Sequence, residues 1–242
     1  MREARGEDAT TTSTLPAPIA AWEFEGDLDD AIGSLHGELI GAGRLEDGAL
    51  VLEGGWVLTP PLPRDLGART LEARVRLDGL DQRGSGLVTV QQLQGGVFDS
   101  IVFNERRPGE WLAGSEFFNR TDDLRGPPER EQGFVVLTMT YAEDGTITAY
   151  RNGAPYGAPT RKSELVTYEA GRSQFLLGGR HGSRTGMAGA LRGALDHARV
   201  FDRVLTPDEV AASAASDPDF VTRQDALIAL DRKSTRLNSS HA

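Results

Sequence analysis

The segment DGTITAYRNGAPYG, residues 144–157, places a short strand-like run between two tight turns. Asp144-Gly145 and Asn152-Gly153 are dipeptides that favour hairpin turns, because glycine and asparagine tolerate positive φ angles. The run between them, TITAYR, is rich in β-branched and aromatic residues, which favours a β-strand. The segment therefore predicts a hairpin strand whose main role is geometric.

The same pattern of short strands and tight turns recurs along most of the chain. In TLEARVRLD, apolar side chains alternate with polar ones, the apolar ones being Leu71, Ala73, Val75 and Leu77. A period of two predicts a strand with one face in the core and the other in water. Similar runs are IAAWEFEG, HGELIG, ALVLEG, WVLTP, LVTVQQL, VFDSIVF, FVVLTMTY, SQFLLGG and ALDHARVF. Together with 29 glycines, this density of strands and turns predicts an antiparallel sandwich or barrel.

Helical patterns are few and lie near the C-terminal end. In TPDEVAASAAS, Thr206 is suited to the N-cap, Pro207 to the first helical position and Glu209 to the third, which is a capping box. A second short helix is predicted from Thr222, in TRQDALIAL. In the first strand Trp22 and Phe24 alternate with Glu23, so we expect both rings in the core.

Composition excludes several classes of site and partner. The 242 residues include no cysteine, which excludes disulfides, thiolate zinc sites and iron–sulfur clusters within the chain. The formal net charge of -10 repels phosphates, so no nucleic-acid partner is expected. No apolar run reaches the roughly 20 residues of a membrane span, and no signal-peptide h-region opens the chain. We therefore expect no membrane insertion.

Both ends of the chain differ in character from the strand-rich part. Residues 1–18 are rich in threonine and proline and predict a disordered linker. DRKSTRLNSSH resembles a translated sequencing adapter, so we interpret residues 231–242 as a disordered artefact tail, with an ordinary polar tail as the alternative. Residues 216–230 are then the start of a following helical segment that is cut short.

An ordered set of motifs resembles a known family. The motifs are IAAWEFEGDLDD, GALVLEGGWV, RTLEARVRL, VVLTMTYAEDGTITAYRNGAPYG, FLLGGR and LRGALDHARVFDRVLTPDEV. In this order they resemble the LamG-like jelly-roll domains of the concanavalin A-like lectin/glucanase superfamily, over residues 19–215. The resemblance implies an all-β, two-sheet antiparallel jelly-roll sandwich, here with one or two short C-terminal helices.

The resemblance also implies a setting and a range of functions. DPDFVTRQDALIAL and RPGEWLAGSEFF are similar to parts of modules in large secreted bacterial proteins. We therefore expect a module of such a protein, located extracellularly, in the periplasm or at the cell surface. Hydrolases of this superfamily carry Glu-x-Asp-x-(x)-Glu along one strand, and no such run is present. The expected function is a non-catalytic carbohydrate-binding or adhesion module, with a protein-interaction or spacer domain as the alternative and a glycoside hydrolase third.

Residues 104–133 have no clean period, which indicates either a functional loop or an element wrongly assigned as loop. Aromatic faces can stack on sugar rings, while arginine and carboxylate groups can bind sugar hydroxyls or protein charges. The candidate ligand-binding residues are Arg106, Arg107, Glu110, Trp111, Glu116, Phe117, Phe118 and Arg120. The alternative is that the aromatics anchor the loop. An exposed Trp111 would favour sugar binding, and a buried one would favour the spacer.

The acidic turn EGDLDDAIG is a candidate for one calcium ion, which binds six to eight oxygen ligands. Many LamG-like sandwiches bind a calcium ion at the rim, and the candidate ligands here are Asp27, Asp29, Asp30 and Asp196. The spacing departs from an EF-hand, because Ile32 occupies the position that requires glycine. The alternative is that the aspartates hydrogen-bond turn amides.

The histidines have no metal-ligand spacing, so His36, His181 and His197 are expected to be ordinary surface or hydrogen-bonded residues.

Overall fold

Two antiparallel sheets packed face to face form the fold, and a computed structural model describes it over residues 15–216. The predicted all-β sandwich is confirmed. Most of the predicted linker, the helix predicted from Thr222 and the adapter-like tail lie outside the described residues.

The larger sheet has nine strands in the order β12-β11-β10-β6-β17-β4-β3, with β1 paired to β17 and β13 paired to β11. Its strands are β1 (Ala20–Trp22), β3 (Gly43–Glu46), β4 (Ala49–Glu53), β6 (Arg69–Leu77), β10 (Val135–Tyr141), β11 (Thr146–Arg151), β12 (Ala154–Pro155), β13 (Thr160–Arg161) and β17 (Arg192–Phe201).

The smaller sheet has six strands in the order β2-β5-β14-β7-β8-β9, and a separate hairpin pairs β15 with β16. The six strands are β2 (Glu38–Ile40), β5 (Trp56–Pro61), β7 (Ser85–Gln92), β8 (Phe98–Phe103), β9 (Trp111–Ser115) and β14 (Ser173–Leu177). The hairpin strands are β15 (His181–Gly182) and β16 (Met187–Ala188).

One hydrophobic cluster fills the space between the two sheets, because alternate side chains of every long strand point into it. Trp22 of β1 meets Phe175 of β14 edge to face, with ring centroids 5.8 Å apart. The indole Nε1–H of Trp22 donates to the Leu35 carbonyl at 2.9 Å. The prediction that Trp22 belongs to the core is confirmed.

The segment that opened the sequence analysis forms the expected hairpin strand. β11 pairs with β10 on one side and with β12 on the other. Its exit turn has left-handed backbone at Asn152 (φ 50°) and Gly153 (φ 74°), as an Asn-Gly hairpin turn requires. The strand-like runs predicted elsewhere also lie on strands, whereas β3, β9 and the two-residue strands β12, β13, β15 and β16 were not predicted.

Strand β6 corrects one prediction. Its apolar residues face the core as expected, but the opposite face is only partly wet: Asp78 is exposed and Arg76 half-buried, whereas Thr70 and Glu72 are fully buried. The Glu72 carboxylate accepts hydrogen bonds from the hydroxyls of Thr138 at 2.9 Å and Ser213 at 2.7 Å. Ser213 belongs to the C-terminal helix, so that helix covers the face that the alternation alone assigned to water.

Helix α1 (Pro207–Ala215) has the predicted capping box. The Thr206 hydroxyl accepts from the Glu209 amide at 3.3 Å, and the Glu209 carboxylate accepts from the Thr206 amide at 2.9 Å. Val210 packs in a small cluster with Tyr150, Phe201 and Leu205 on the outer face of the nine-stranded sheet. Among the described residues, no helix is both long and apolar enough to cross a bilayer.

A glycine-rich hairpin lies across the outer face of the six-stranded sheet. Its sequence is GGRHGSRTGMAGAL, residues 178–191. The Thr89 hydroxyl donates to the Gly179 carbonyl at 2.8 Å. A side chain at Gly86 would collide with the backbone of Gly179, so glycine is needed where the hairpin meets strand β7. The hairpin, here called the crossing hairpin, leaves an open cleft on each side.

Candidate functional site

The cleft on the β8–β9 side of the crossing hairpin, here called the aromatic groove, has a volume of about 380 Å³. Strands β8 and β9, the short 3₁₀ turn after β9 and the hairpin contribute its walls. The side chains used below are Phe98, Glu105, Glu116, Phe117, Phe118, Arg180 and His181. The groove thus combines exposed aromatic rings with charged groups.

The turn after β9 is held closed by a buried arginine. Arg120 binds Glu116 with two parallel bonds, Nη1 to Oε1 at 2.7 Å and Nη2 to Oε2 at 2.6 Å. The same carboxylate accepts from the Phe98 amide at 3.2 Å. Because both ends of this turn are fixed, the two residues after Glu116 project away from the sheet.

These projecting residues, Phe117 and Phe118, form an aromatic tip. Both have left-handed backbone, with φ of 49° and 56°. Such a backbone costs ~1–3 kcal/mol for each non-glycine residue and clusters at functional sites. Phe117 is 92% exposed and Phe118 37%. The Lys162 ammonium donates to the Phe118 carbonyl at 2.6 Å, and the Arg106 guanidinium lies 5.6 Å from the Phe118 ring centre.

Below the tip, a network of buried charges joins the two sheets. Asp99 of β8 pairs with Arg69 of β6 and accepts from Arg120 Nε at 2.9 Å. The Tyr168 hydroxyl donates to Asp99 at 3.0 Å, and the Arg69 guanidinium lies 4.8 Å from the ring centre of Tyr168. With Glu116, the network contains two cations and two anions, so its formal charges cancel. The aromatic tip is therefore fixed to the core rather than to a loose loop.

The opposite wall of the groove comes from the crossing hairpin. The Arg180 guanidinium pairs with Glu105, and its Nε has no hydrogen-bond partner among the described residues. The His181 ring stacks on Phe98, with centroids 4.4 Å apart and an interplanar angle of 18°. Burial, and then the charge of Arg180, lower the pKa of His181 below 6.5. His181 is therefore neutral at pH 7.

The other candidate ligand-binding residues serve the fold. Trp111 is 1% exposed, and its Nε1–H donates to Glu129 at 2.8 Å. The ring cannot present a face to a sugar, so Trp111 is not a ligand-binding residue, and the alternative that the aromatics anchor the loop holds for it. Arg106 and Arg107 pair with Asp123 at 3.2 and 3.0 Å. Glu110 lies partly buried, 4.0 Å from Arg107.

The comparisons with known proteins define the family. The family model described as the concanavalin A-like lectin/glucanases superfamily matches residues 52–211, more than half of the chain. The chain belongs to this superfamily. No curated protein matches the sequence.

Solved structures with very different sequences resemble this chain, and the sialidase among them, whose TM-score exceeds 0.5, shows the same fold. Trypanosoma rangeli sialidase in complex with 2,3-difluorosialic acid superposes with a TM-score of 0.63 at 15% identity, covering 90% of this chain and 36% of the sialidase. A Limulus polyphemus pentraxin has a TM-score of 0.47 at 16% identity, with 69% and 77% covered. The sialidase CBM40 of Ruminococcus gnavus, bound to sialyllactose, has a TM-score of 0.46 at 14% identity, with 62% and 83% covered. The chain thus spans about a third of the T. rangeli sialidase.

As its name states, the superfamily contains lectins and glucanases, and the aromatic groove contains two carboxylates, Glu105 and Glu116. A glycoside hydrolase needs one carboxyl group whose raised pKa keeps it protonated. Glu105 is paired with Arg180. Burial acts to raise the pKa of Glu116, but hydrogen bonds and charge from Arg120 outweigh it and lower that pKa. Neither carboxylate therefore has the environment of a general acid.

The four aspartates that were candidate calcium ligands have other partners. Asp30 is buried and accepts backbone N–H bonds from Ala21, Ile32 and Leu35 at 3.0, 3.0 and 3.1 Å. Asp27 accepts from the Asp29 amide, and Asp29 lies 3.2 Å from His36. Asp196 pairs with Arg74 at 2.8 Å instead of joining the turn. Within residues 15–216 no group of three or more acidic or histidine side chains could hold a metal ion.

Sequence reasoning missed the wall supplied by the crossing hairpin. Arg180 and His181 lie in a segment with five glycines and no strand period, and His181 was interpreted as an ordinary histidine. The glycine density was the available signal, since clustered glycines mark close backbone approach. It could not indicate which sheet the hairpin approaches.

Proposed function

We propose that this protein is a non-catalytic glycan-binding module that stacks a sugar ring on the aromatic tip of its aromatic groove. The observation that carries the proposal is Phe117, which is 92% exposed on strained backbone. An apolar ring kept in water at this cost has no folding role. It fits a function in which the ring meets a ligand.

The chemistry of the groove fits a sugar. The faces of pyranose rings carry C–H groups that pack on aromatic rings, while the ring edges carry hydroxyls. Glu105 can accept hydrogen bonds from hydroxyls, and the Nε–H of Arg180 can donate one. The acidic groups are each balanced by an arginine and His181 is neutral at pH 7. An uncharged glycan therefore suits the groove, and the net charge of -10 disfavours acidic polysaccharides.

A non-catalytic role is supported by the state of the groove carboxylates. Both are balanced by arginine, and the lowered pKa of Glu116 opposes proton donation to a leaving group.

We also infer that the chain works as one module of a larger secreted protein. In support, it spans about a third of the structurally similar T. rangeli sialidase.

A protein-interaction or spacer domain is the second candidate, and the burial of Trp111 favours it. That residue was the strongest sugar platform in the sequence, yet it anchors the fold. Under this alternative the aromatic tip would insert into a neighbouring domain rather than contact a sugar.

The test is affinity electrophoresis of the full chain through native gels that contain polysaccharides. Neutral gels contain hydroxyethyl cellulose, galactomannan or laminarin, and acidic gels contain alginate or polygalacturonate. The variant is Phe117→Ala. Phe134→Ala is the matched control, because Phe134 is also exposed, at 36%, but lies over Arg74 of the nine-stranded sheet.

We expect retardation in at least one neutral gel, loss of that retardation in Phe117→Ala and its retention in Phe134→Ala. Unchanged mobility of the wild type in every gel would overturn the glycan proposal and leave the interaction domain. Equal retardation of Phe117→Ala and wild type would exclude the aromatic tip as the binding site.

A further inference from the structure

The larger cleft on the outer face of the six-stranded sheet lies on the opposite side of the crossing hairpin. This polar cleft has a volume of about 590 Å³. Strands β2, β5 and β14 and the tip of the hairpin contribute its walls. The lining residues used below are Glu38, Pro60, Pro61, Gln174 and Arg184.

Two neighbouring glutamines distinguish this cleft. Gln91 of β7 and Gln174 of β14 are cross-strand partners, and both lie on the outer face. Gln91 is saturated by the crossing hairpin: its Nε2 donates to the Gly182 carbonyl at 2.6 Å and its Oε1 accepts from the Gly182 amide at 2.9 Å. Gln174 is only 7% exposed and lines the polar cleft, yet its side-chain amide bonds to none of the described residues.

An amide in this position has unused hydrogen-bonding capacity. The amide atoms keep contact with solvent in the cleft, so the donors and the acceptor are open to a ligand that enters it. Its Nε2 donates and its Oε1 accepts, so it can bind two adjacent hydroxyl groups at once. The free amide therefore indicates a ligand with neighbouring hydroxyls.

The rest of the polar cleft narrows the class of that ligand. Glu38 and Arg184 form a two-bond ion pair that joins the hairpin tip to β2, so their charges cancel. The exposed rings of Pro60 and Pro61 provide an apolar surface beside the amide. A cleft whose glutamate and arginine form an ion pair, and which offers an apolar surface and an amide, fits an uncharged sugar unit.

We propose that the polar cleft is a second glycan-binding site, in which the Gln174 amide binds adjacent hydroxyls of an uncharged sugar. This site shares only its ligand class with the aromatic groove, since the crossing hairpin separates the two. The sites can therefore be tested independently.

The test uses NMR of the full chain labelled with nitrogen-15, titrated to millimolar concentrations of cellohexaose, laminarihexaose and mannohexaose. The readouts are the side-chain amide signal of Gln174 and the backbone amide signal of Phe117. The variant is Gln174→Leu, which keeps the side-chain volume and removes the amide. Gln92→Leu is the control, because Gln92 lies exposed at the end of β7.

We expect at least one hexasaccharide to shift the Gln174 amide. We expect Gln174→Leu to weaken that binding about tenfold, whereas Gln92→Leu and Phe117→Ala leave it unchanged. The proposal is overturned if no hexasaccharide shifts the Gln174 amide, a result that wild-type protein alone provides. It also fails if folded Gln174→Leu binds as the wild type does.

The experiment distinguishes failure of the second-site proposal from failure of the aromatic-groove proposal. Shifts confined to Phe117 and abolished by Phe117→Ala would support the aromatic groove and exclude the second site. Shifts confined to Gln174 would support the second site and exclude the groove.

Discussion

Trp111 and Phe117 belong to the same short segment, but Trp111 is buried and Phe117 is exposed. Trp111, at the start of β9, is 1% exposed and donates its indole N–H to Glu129. Phe117, just past the end of β9, is 92% exposed on left-handed backbone. One aromatic ring stabilises the sandwich, while the other is kept in water at a cost in backbone strain.

This difference shows that residue type does not identify the binding aromatic. Tryptophan is the larger platform, but its position on β9 turns it into the core. Phenylalanine acquires exposure because Arg120 fixes Glu116 and forces the next residues outward. Stability and ligand contact are therefore expected to respond separately to mutations in this segment.

The largest effect is expected for Trp111→Ala. Removing a buried tryptophan leaves a cavity and removes one hydrogen bond to Glu129, which keeps its pair with Arg151, so the free energy of unfolding should fall by ~3–5 kcal/mol. Urea denaturation measures this. Trp111→Phe should recover most of the loss. If Trp111→Ala unfolded at the wild-type urea concentration, the anchoring role would be wrong.

Arg120→Ala should have the next largest effect and should change both stability and glycan binding. It leaves Glu116 and Asp99 without their shared partner, which should cost ~3 kcal/mol. Because the turn after β9 is then free, glycan retardation should also be lost. The double variant Arg120→Met with Glu116→Gln should regain stability but not retardation, and recovery of both would contradict the role given to this ion pair.

Phe117→Gly should have a smaller effect on the free energy of unfolding and should raise it rather than lower it. Glycine adopts left-handed backbone without strain, and the exposed ring contributes no burial, so the variant should be more stable by about 1 kcal/mol. Phe134→Gly is the control and should lose stability, since its backbone is not left-handed. Thermal unfolding compares the two, and a destabilised Phe117→Gly would show that the tip carries no strain.

The smallest expected effect is a pH dependence at the aromatic groove. Because the pKa of His181 is lowered in the folded state, the unfolded chain binds a proton first as the pH falls below 6.5. Its contribution to stability is present above pH 6.5 and decreases from there down through the folded-state pKa. Urea midpoints of wild type and His181→Gln between pH 7.5 and 5 should diverge, and parallel curves would contradict the prediction.

The sequence by itself determined the sandwich and the ends of some of its regular elements. Alternation marked the core side of β6, Asn152-Gly153 marked a hairpin, and Thr206 with Glu209 marked the start of α1. These features are local, because each depends on residues a few positions apart. Strand β9 escaped prediction because WLAGS has little β-branched character and borders charged, irregular sequence.

Only the tertiary structure decided which side chains meet at a site. Phe117 and His181 share the aromatic groove although they lie far apart in the chain. Gln91 and Gln174 look equivalent in the sequence, yet the crossing hairpin saturates one and leaves the other free. Thr70 and Glu72 on the polar face of β6 are likewise buried because residues 203–205 and α1 fold back over them. Periodicity records which face of its own element a residue occupies, whereas burial and partners depend on what distant segments place against that face.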